Sequence, residues 1–279
     1  MLAADRSRLE LLARLGYAAR GVVNLLIGGL ALLAAFGRGG GATGSKGALQ
    51  TLLLQPLGHV LLAIVALGLF GFALWRAFQS LLDADGHGHA PKALVIRFGQ
   101  IVSAAVYVGL GVFAISLLLG WAAGGGGEES AHDWTGWLLT KPMGRWLVGA
   151  VGVAIVGSGL GMARKAWSGS FARHLACEGA TATWVLNLGR LGYAARSVVF
   201  LVIGGFLLLA AYHAAPDEAH GLGGALLALQ EQPFGRALFG LVAFGLAAFG
   251  IFEFAEARYR RIDMSDGRKA LDAASARLA

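Results

Sequence analysis

The sequence predicts an all-α membrane protein, six transmembrane helices paired as three helical hairpins that repeat in parallel and pack as a pseudo-threefold bundle. Three observations predict it. The chain is 57% hydrophobic and only 14% charged over 279 residues, against about 25% charged in an ordinary soluble domain, so it lacks the polar surface to cover a water-soluble globule. Leu12–Ala35 returns as Leu188–Ala211 with 18 of 24 positions identical, and a weaker copy lies between them. Arg14, Gly16 and Gly28 recur as Arg97, Gly99 and Gly111, and again as Arg190, Gly192 and Gly204. Finally, Lys and Arg alternate in abundance between successive connections, as they do when connections alternate across a bilayer.

Residues 1–14 are polar and basic with helical spacing of Leu9, Leu12, Ala13 and Leu15, which predicts a short helix lying on the membrane surface. No apolar core ending in a small-residue cleavage site occurs there, so no cleavable signal peptide is expected. The first repeat, 1–92, carries spans at 16–36 and 60–82. Each has the roughly 20 apolar residues that cross a hydrocarbon core of about 30 Å. The glycine-rich run 37–47 breaks the first helix, and a short amphipathic piece, 48–54, precedes the second. The second repeat, 93–183, has spans at 101–121 and 146–163, and the third, 184–279, has spans at 194–212 and 237–253 plus a charged tail. Pro56, Pro142 and Pro233, each two residues before Gly58, Gly144 and Gly235, read as helix starts at a membrane boundary, where a missing N–H costs nothing.

Of the 23 Lys and Arg residues, 18 fall on one side of this topology and five on the other. The positive-inside rule then places both termini in the cytoplasm, with the spans in the plasma (inner) membrane. Because every hairpin starts from the same side, the repeats are related by an axis along the membrane normal, not by inversion. The net charge of +7 is confined to loops and ends. It fits contact with the bilayer and its anionic head groups rather than nucleic acid, which calls for a basic patch on a folded soluble domain.

The pattern RLGYAAR…GG, a GAL-rich segment and QPxG before a second apolar helix, in three copies, resembles the bacterial family called domain of unknown function 1206. The resemblance is strongest at Arg14–Gly29, Gly47–Gly58, Arg190–Gly205 and Gly224–Gly235. It implies a six-helix bacterial membrane protein and no particular chemistry. The middle unit departs from it, with Gln100 for the tyrosine, Ser103 for the second arginine and Lys141 for the glutamine.

Candidate functional residues are few. Arg20 and Arg196 lie one turn inside apolar helices, where arginine either snorkels to lipid phosphates, forms an ion pair or serves a ligand. For a pair, Glu253 and Glu256 are the best partners, although Glu256 has Arg260 at i+4. Asn24 lies within the first span and is expected to bond to a neighbouring helix. Tyr17 and Tyr193 fit stacking and interfacial anchoring, and Trp75, Trp121, Trp134, Trp137, Trp146 and Trp167 an aromatic belt. Gly21, Gly28 and Gly29 in the first span, Gly109 and Gly111 in the third, Gly157, Gly159 and Gly161 in the fourth, and Gly204 and Gly205 in the fifth fit close helix packing. His59, Arg145 and Arg236 share one repeat position, as an anion-attracting ring or as lipid anchors. Asp83, Asp85, His87 and His89 crowd one loop without a strict metal-ligand spacing. Cys177 is the lone cysteine. No nucleophile elbow, HExxH, phosphate loop or mid-membrane acid pair is present in the sequence, so no enzymatic activity and no cofactor is expected. The expected role is structural, lipid-interacting or partner-interacting. A channel or solute transporter along the threefold axis would need polar groups facing it, for which Asn24, Ser103, Ser116 and Ser158 are the candidates. A lipid-modifying enzyme is a more distant alternative.

Overall fold

The computed structural model describes residues 2–38, 40–81, 90–121, 127–175 and 179–260. Its helices are α1 (Leu2–Ala35), α2 (Ser45–Leu53), α3 (Gly58–Leu81), α4 (Pro91–Leu118), α5 (Gly127–Leu139), α6 (Gly144–Ser168), α7 (Gly179–His213), α8 (Leu222–Gln230) and α9 (Gly235–Tyr259). Six of them, α1, α3, α4, α6, α7 and α9, are long and apolar enough to cross a bilayer. The protein is an all-α, multi-pass membrane protein of three two-span repeats. The short helices α2, α5 and α8 recur before the second span of each.

Two local features depart from the sequence reading. Residues 2–14 do not form a separate surface helix, because they continue without a break into the first span as one 34-residue rod. Nor do the three prolines occupy the first helical position. Each sits in a four-residue turn just before the helix, closed by hydrogen bonds from Gly58 N to Gln55 O (2.8 Å), Gly144 N to Lys141 O (2.9 Å) and Gly235 N to Gln232 O (2.7 Å). The residues between proline and glycine, Leu57, Met143 and Phe234, are left-handed, with φ of 62°, 62° and 61°. That conformation costs about 1–2 kcal/mol in an L-residue, and it appears identically in all three units. The glycine that follows is required: a Cβ on Gly58, Gly144 or Gly235 would run into the carbonyl of Leu53, Leu138 or Gln230. All three turn residues are exposed, so large apolar side chains stand at the membrane boundary. We call this the turn side, and the side on which α1, α4 and α7 begin the basic side.

Counting each unit from its own signature glycines, the packing between repeats obeys the threefold relation closely. Gly28 of α1 lies against Ala247 of α9, Gly111 of α4 against Phe70 of α3, and Gly204 of α7 against Val156 of α6. Ala247, Phe70 and Val156 are the twelfth residue after Gly235, Gly58 and Gly144, so the same contact is made three times. The signature arginine acts at the same interfaces. Arg14 donates to the carbonyls of Ala257 and Arg258 (both 2.7 Å) at the end of α9. Arg97 donates to those of Ser80 (2.6 Å) and Leu81 (3.2 Å) at the end of α3, again at matching repeat positions. Each satisfies carbonyls that a helix end leaves without partners, with a cation where the helix dipole favours one.

Packing within repeats is another matter. In the first unit Gly16 receives the Cβ of Phe72, and in the third Gly192 receives that of Phe249; a Cβ on either glycine would lie 2.6 Å from it. Gly68 and Gly245 likewise receive Ala19 and Ala195. The middle unit has neither arrangement. Its counterpart of Phe72 is Ser158, and in place of the Ala–Gly pair it has Val102 and Ala154. The knob is missing where it is needed, and the close-approach point is overfilled. Accordingly α4 and α6 do not pack on each other. Gly99, Gly109, Gly157 and Gly161 of the middle unit, expected to bring helices together, meet nothing within 4 Å, as do Gly29 and Gly205 on the faces of α1 and α7 that no helix covers. The six spans therefore form an open arc in the order α4, α3, α1, α9, α7, α6. Its most buried span is α9, near the centre, and its least buried are the tips, α4 and α6.

Candidate functional site

On the basic side, inside the arc, two equivalent aromatic–cation units face each other. In the first repeat the Arg20 guanidinium lies 4.3 Å from the Phe72 ring centroid and 5.4 Å from that of Tyr107. Tyr17 and Tyr107 both meet Phe72 edge-on, at 5.2 and 4.8 Å. In the third, Arg196 lies 4.7 Å from Phe249 and 5.4 Å from Phe200, and Tyr193 meets Phe249 edge-on at 5.2 Å. Desolvated cation–π contacts of this kind contribute about 2 kcal/mol, which offsets part of the cost of placing an arginine at this depth.

The rest of that cost is met by an ion pair. Glu253, fully buried, sits 2.5 Å from Arg20, which is 7% exposed. Its second oxygen accepts from Asn24 Nδ2 at 2.7 Å. Asn24 Nδ2 also donates to the Arg20 carbonyl (3.1 Å), and its Oδ1 accepts from Arg196 Nη1 (3.2 Å). Asn24 thus joins the two arginines through one carboxylate. Snorkelling does not describe Arg20, because its guanidinium is buried and held by α9. Glu256, one turn further on, is taken by Arg260 at 2.9 Å. The structure brings four of the five candidate residues, Arg20, Asn24, Arg196 and Glu253, into one network, and it leaves Glu256 to its local partner.

The repeat relation explains why the network is asymmetric. Glu253 occupies the position held by Arg76 in the first unit and Met162 in the second; Glu256 corresponds to Gln79 and Lys165. One position therefore carries a cation, a neutral group and an anion around the axis. Arg76 lies 5.2 Å from the Phe72 ring and donates to Gln79 Oε1 at 3.3 Å. Lys165 lies 5.6 Å from the Tyr193 ring and within electrostatic range of Arg76, Glu256 and Arg260. Arg260 lies 5.0 Å from the Tyr17 ring. Five cations, Arg20, Arg76, Lys165, Arg196 and Arg260, thus stand with two carboxylates. The Tyr17 hydroxyl, on a residue 1% exposed, and the Nε atoms of Arg20, Arg76 and Arg196 have no hydrogen-bond partner among the described residues.

Sequence reasoning missed Arg76, Lys165 and the two phenylalanine knobs. The signal was available in the register of the second spans: counted from Gly58, Gly144 and Gly235, these residues fall on repeat positions shared with Glu253, Glu256 and Ser158. Trp75 does not belong to an interfacial belt, since it is 5% exposed and packs with Tyr17 and Phe72, whereas Trp121, Trp134, Trp137, Trp146 and Trp167 are exposed. Arg145 donates to the carbonyls of Ala211 (3.1 Å) and Tyr212 (2.7 Å), so it caps the end of α7 rather than standing free in a ring. Ser116 and Ser158 bond to carbonyls of their own helices, Phe113 and Ala154. Among the described residues no group of three or more metal-ligating side chains occurs. Asp83, Asp85, His87, His89 and Cys177 lie outside the described residues.

The family model described as Domain of Unknown Function (DUF1206) matches the chain three times, at residues 15–83, 98–169 and 191–260, one match per two-span repeat. The chain is 35% identical over 228 residues to the uncharacterized protein YxxB of Bacillus subtilis (strain 168), covering 81% of this chain and 82% of the relative. No solved structure matches it.

Proposed function

The chain belongs to the DUF1206 family, and on that premise, which brings no activity with it, we propose a non-enzymatic, multi-pass protein of the bacterial plasma membrane that admits a lipid molecule sideways between α4 and α6. The observation that carries this reading is the unpacked middle hairpin. A threefold design is kept at all three contacts between repeats and abandoned at one of three contacts within repeats, and the bared faces carry Gly99 and Gly109 on one side and Gly157 and Gly161 on the other. Lipid is the occupant that suits these faces. They are apolar, they lie in the hydrocarbon region, and the cations behind them disfavour a second copy of a chain with net charge +7. The excess of Lys and Arg on the basic side supports cytoplasmic termini and contact with anionic head groups there. A solute path along the axis has less support, because its best polar groups, Asn24 and Arg20, are bonded to Glu253.

Spin labels on single cysteines at Gly109 and Gly157, with the buried Leu69 as the packed control and Cys177 replaced, test the reading in liposomes. At the two open positions the label should be relaxed strongly by oxygen, which partitions into lipid, and weakly by a water-soluble nickel chelate. Strong nickel relaxation would support a wet path instead. Protection from both agents, as at position 69, would mean that the hairpin is closed or covered by protein, and the lipid reading would fall.

A further inference from the structure

The opening leads on the basic side to the surplus of positive charge, and the two features meet at Arg76 and Lys165. Arg76 belongs to α3 on one flank of the opening and Lys165 to the last turns of α6 on the other. They are repeat relatives of Glu253 and Glu256, and they lie against the Phe72 and Tyr193 rings of the two aromatic units. Among the described residues both carboxylates in the region are already committed, Glu253 to Arg20 and Asn24, and Glu256 to Arg260. Neither Arg76 nor Lys165 has an anionic partner within ion-pair distance among the described residues, and Arg76 has only the neutral Gln79. Among the described residues the Nε of Arg76 is a buried donor without a hydrogen-bond partner. In a bilayer such a set calls for an anion with several acceptor oxygens, because buried donors left unmatched are costly and intramembrane cations are found paired.

We infer that the lipid admitted between α4 and α6 is an anionic phospholipid whose headgroup phosphate is held by Arg76 and Lys165. The phosphate oxygens supply the acceptors these groups lack, and the acyl chains lie along the open faces of α4 and α6. Arginine recognises phosphate through its planar fork and lysine as a point charge. This inference rests on the lipid-admitting reading above and adds the class of headgroup.

The full chain is reconstituted in nanodiscs of phosphatidylcholine, and spin-labelled phosphatidylglycerol or phosphatidylcholine is added as the probe. Motionally restricted lipid is then measured with and without 10 mM inorganic phosphate. Phosphatidylglycerol should be preferred over phosphatidylcholine. Each cation removed by Arg76→Gln or Lys165→Gln should cost about fivefold of that preference, and the phosphate should not displace the lipid. Lys165→Gln at an exposed position serves alone if the Arg76 variant fails to fold. A preference that survives both substitutions would overturn the inference, as would complete displacement by inorganic phosphate, which would make the site one for a soluble anion. If both lipids are restricted equally by the parent protein, the headgroup inference fails and the lipid-admitting reading stands. If neither is restricted, both fail.

Discussion

Replacing Glu253 by Gln removes one charge and leaves the shape of the side chain intact, so its effect isolates the electrostatics of the network. In the parent, Glu253 forms an ion pair with Arg20 at 2.5 Å and accepts a hydrogen bond from Asn24 at 2.7 Å while being fully buried. Glutamine retains one acceptor oxygen and offers an NH2 in place of the other. If the oxygen stays with Arg20, the new NH2 faces the Asn24 NH2, donor against donor. Asn24 cannot relieve this by turning over, because its own oxygen holds Arg196. Removing one partner from a buried pair typically costs 3–5 kcal/mol. The retained hydrogen bond to a charged group returns about 1.5 kcal/mol, so a net loss of about 3 kcal/mol is expected. On soluble-protein scaling of 2–4 °C per kcal/mol, that lowers the melting temperature in detergent by about 6–12 °C. Reversible unfolding in mixed dodecyl sulfate micelles reads the free energy directly. The partner variant Arg20→Met, and the double variant, complete a cycle in which the double should be more stable than the sum of the single losses predicts by about 2 kcal/mol. A Glu253→Gln protein within 1 kcal/mol of the parent, or strict additivity in the cycle, would refute the assignment of this pair as what holds α1 to α9 on the basic side.

Other consequences can be measured in the same preparations. Gly28→Ala places a methyl within contact distance of the Ala247 backbone and should destabilise by 2 kcal/mol or more. Gly109→Ala, in open space, should be neutral or stabilising by about 1 kcal/mol from helix propensity; equal effects at the two sites would contradict the open arc. Arg97→Ala strips two carbonyl contacts from the end of α3 and should cost about 1–2 kcal/mol in the same unfolding assay. A topology reporter fused after Gly40 should behave as external; cytoplasmic behaviour would reverse the orientation.

The architecture was legible in the sequence because it is written in residues that repeat. Arg14, Gly16 and Gly28, with their counterparts, gave the units, and the hydropathy gave the spans. Why Gly28 recurs is now plain: it makes one contact three times over. What escaped the sequence reading is carried by residues that fail to repeat. Whether the middle hairpin closes depends on Ser158 standing where Phe72 and Phe249 stand, and on Val102 and Ala154 replacing an alanine–glycine fit. That is a question of matched volumes between two helices, to which hydropathy and periodicity are blind. The link from Arg20 to Glu253 was legible as a charge at equal depth. The role of Asn24 as a hinge between two arginines was not, because it depends on how α1 and α9 rotate against each other.

The pairing of the first span with the last also bears on how the protein is made. Spans enter a membrane in order from the ribosome, but α1 finds Glu253 only when α9 arrives, more than 200 residues later. In the interval the first helix holds an arginine among lipid tails without its counter-charge. Any chain stopped short of the sixth span keeps that arginine unneutralised. Copies without α9 thus differ from those that have it by one unneutralised intramembrane charge.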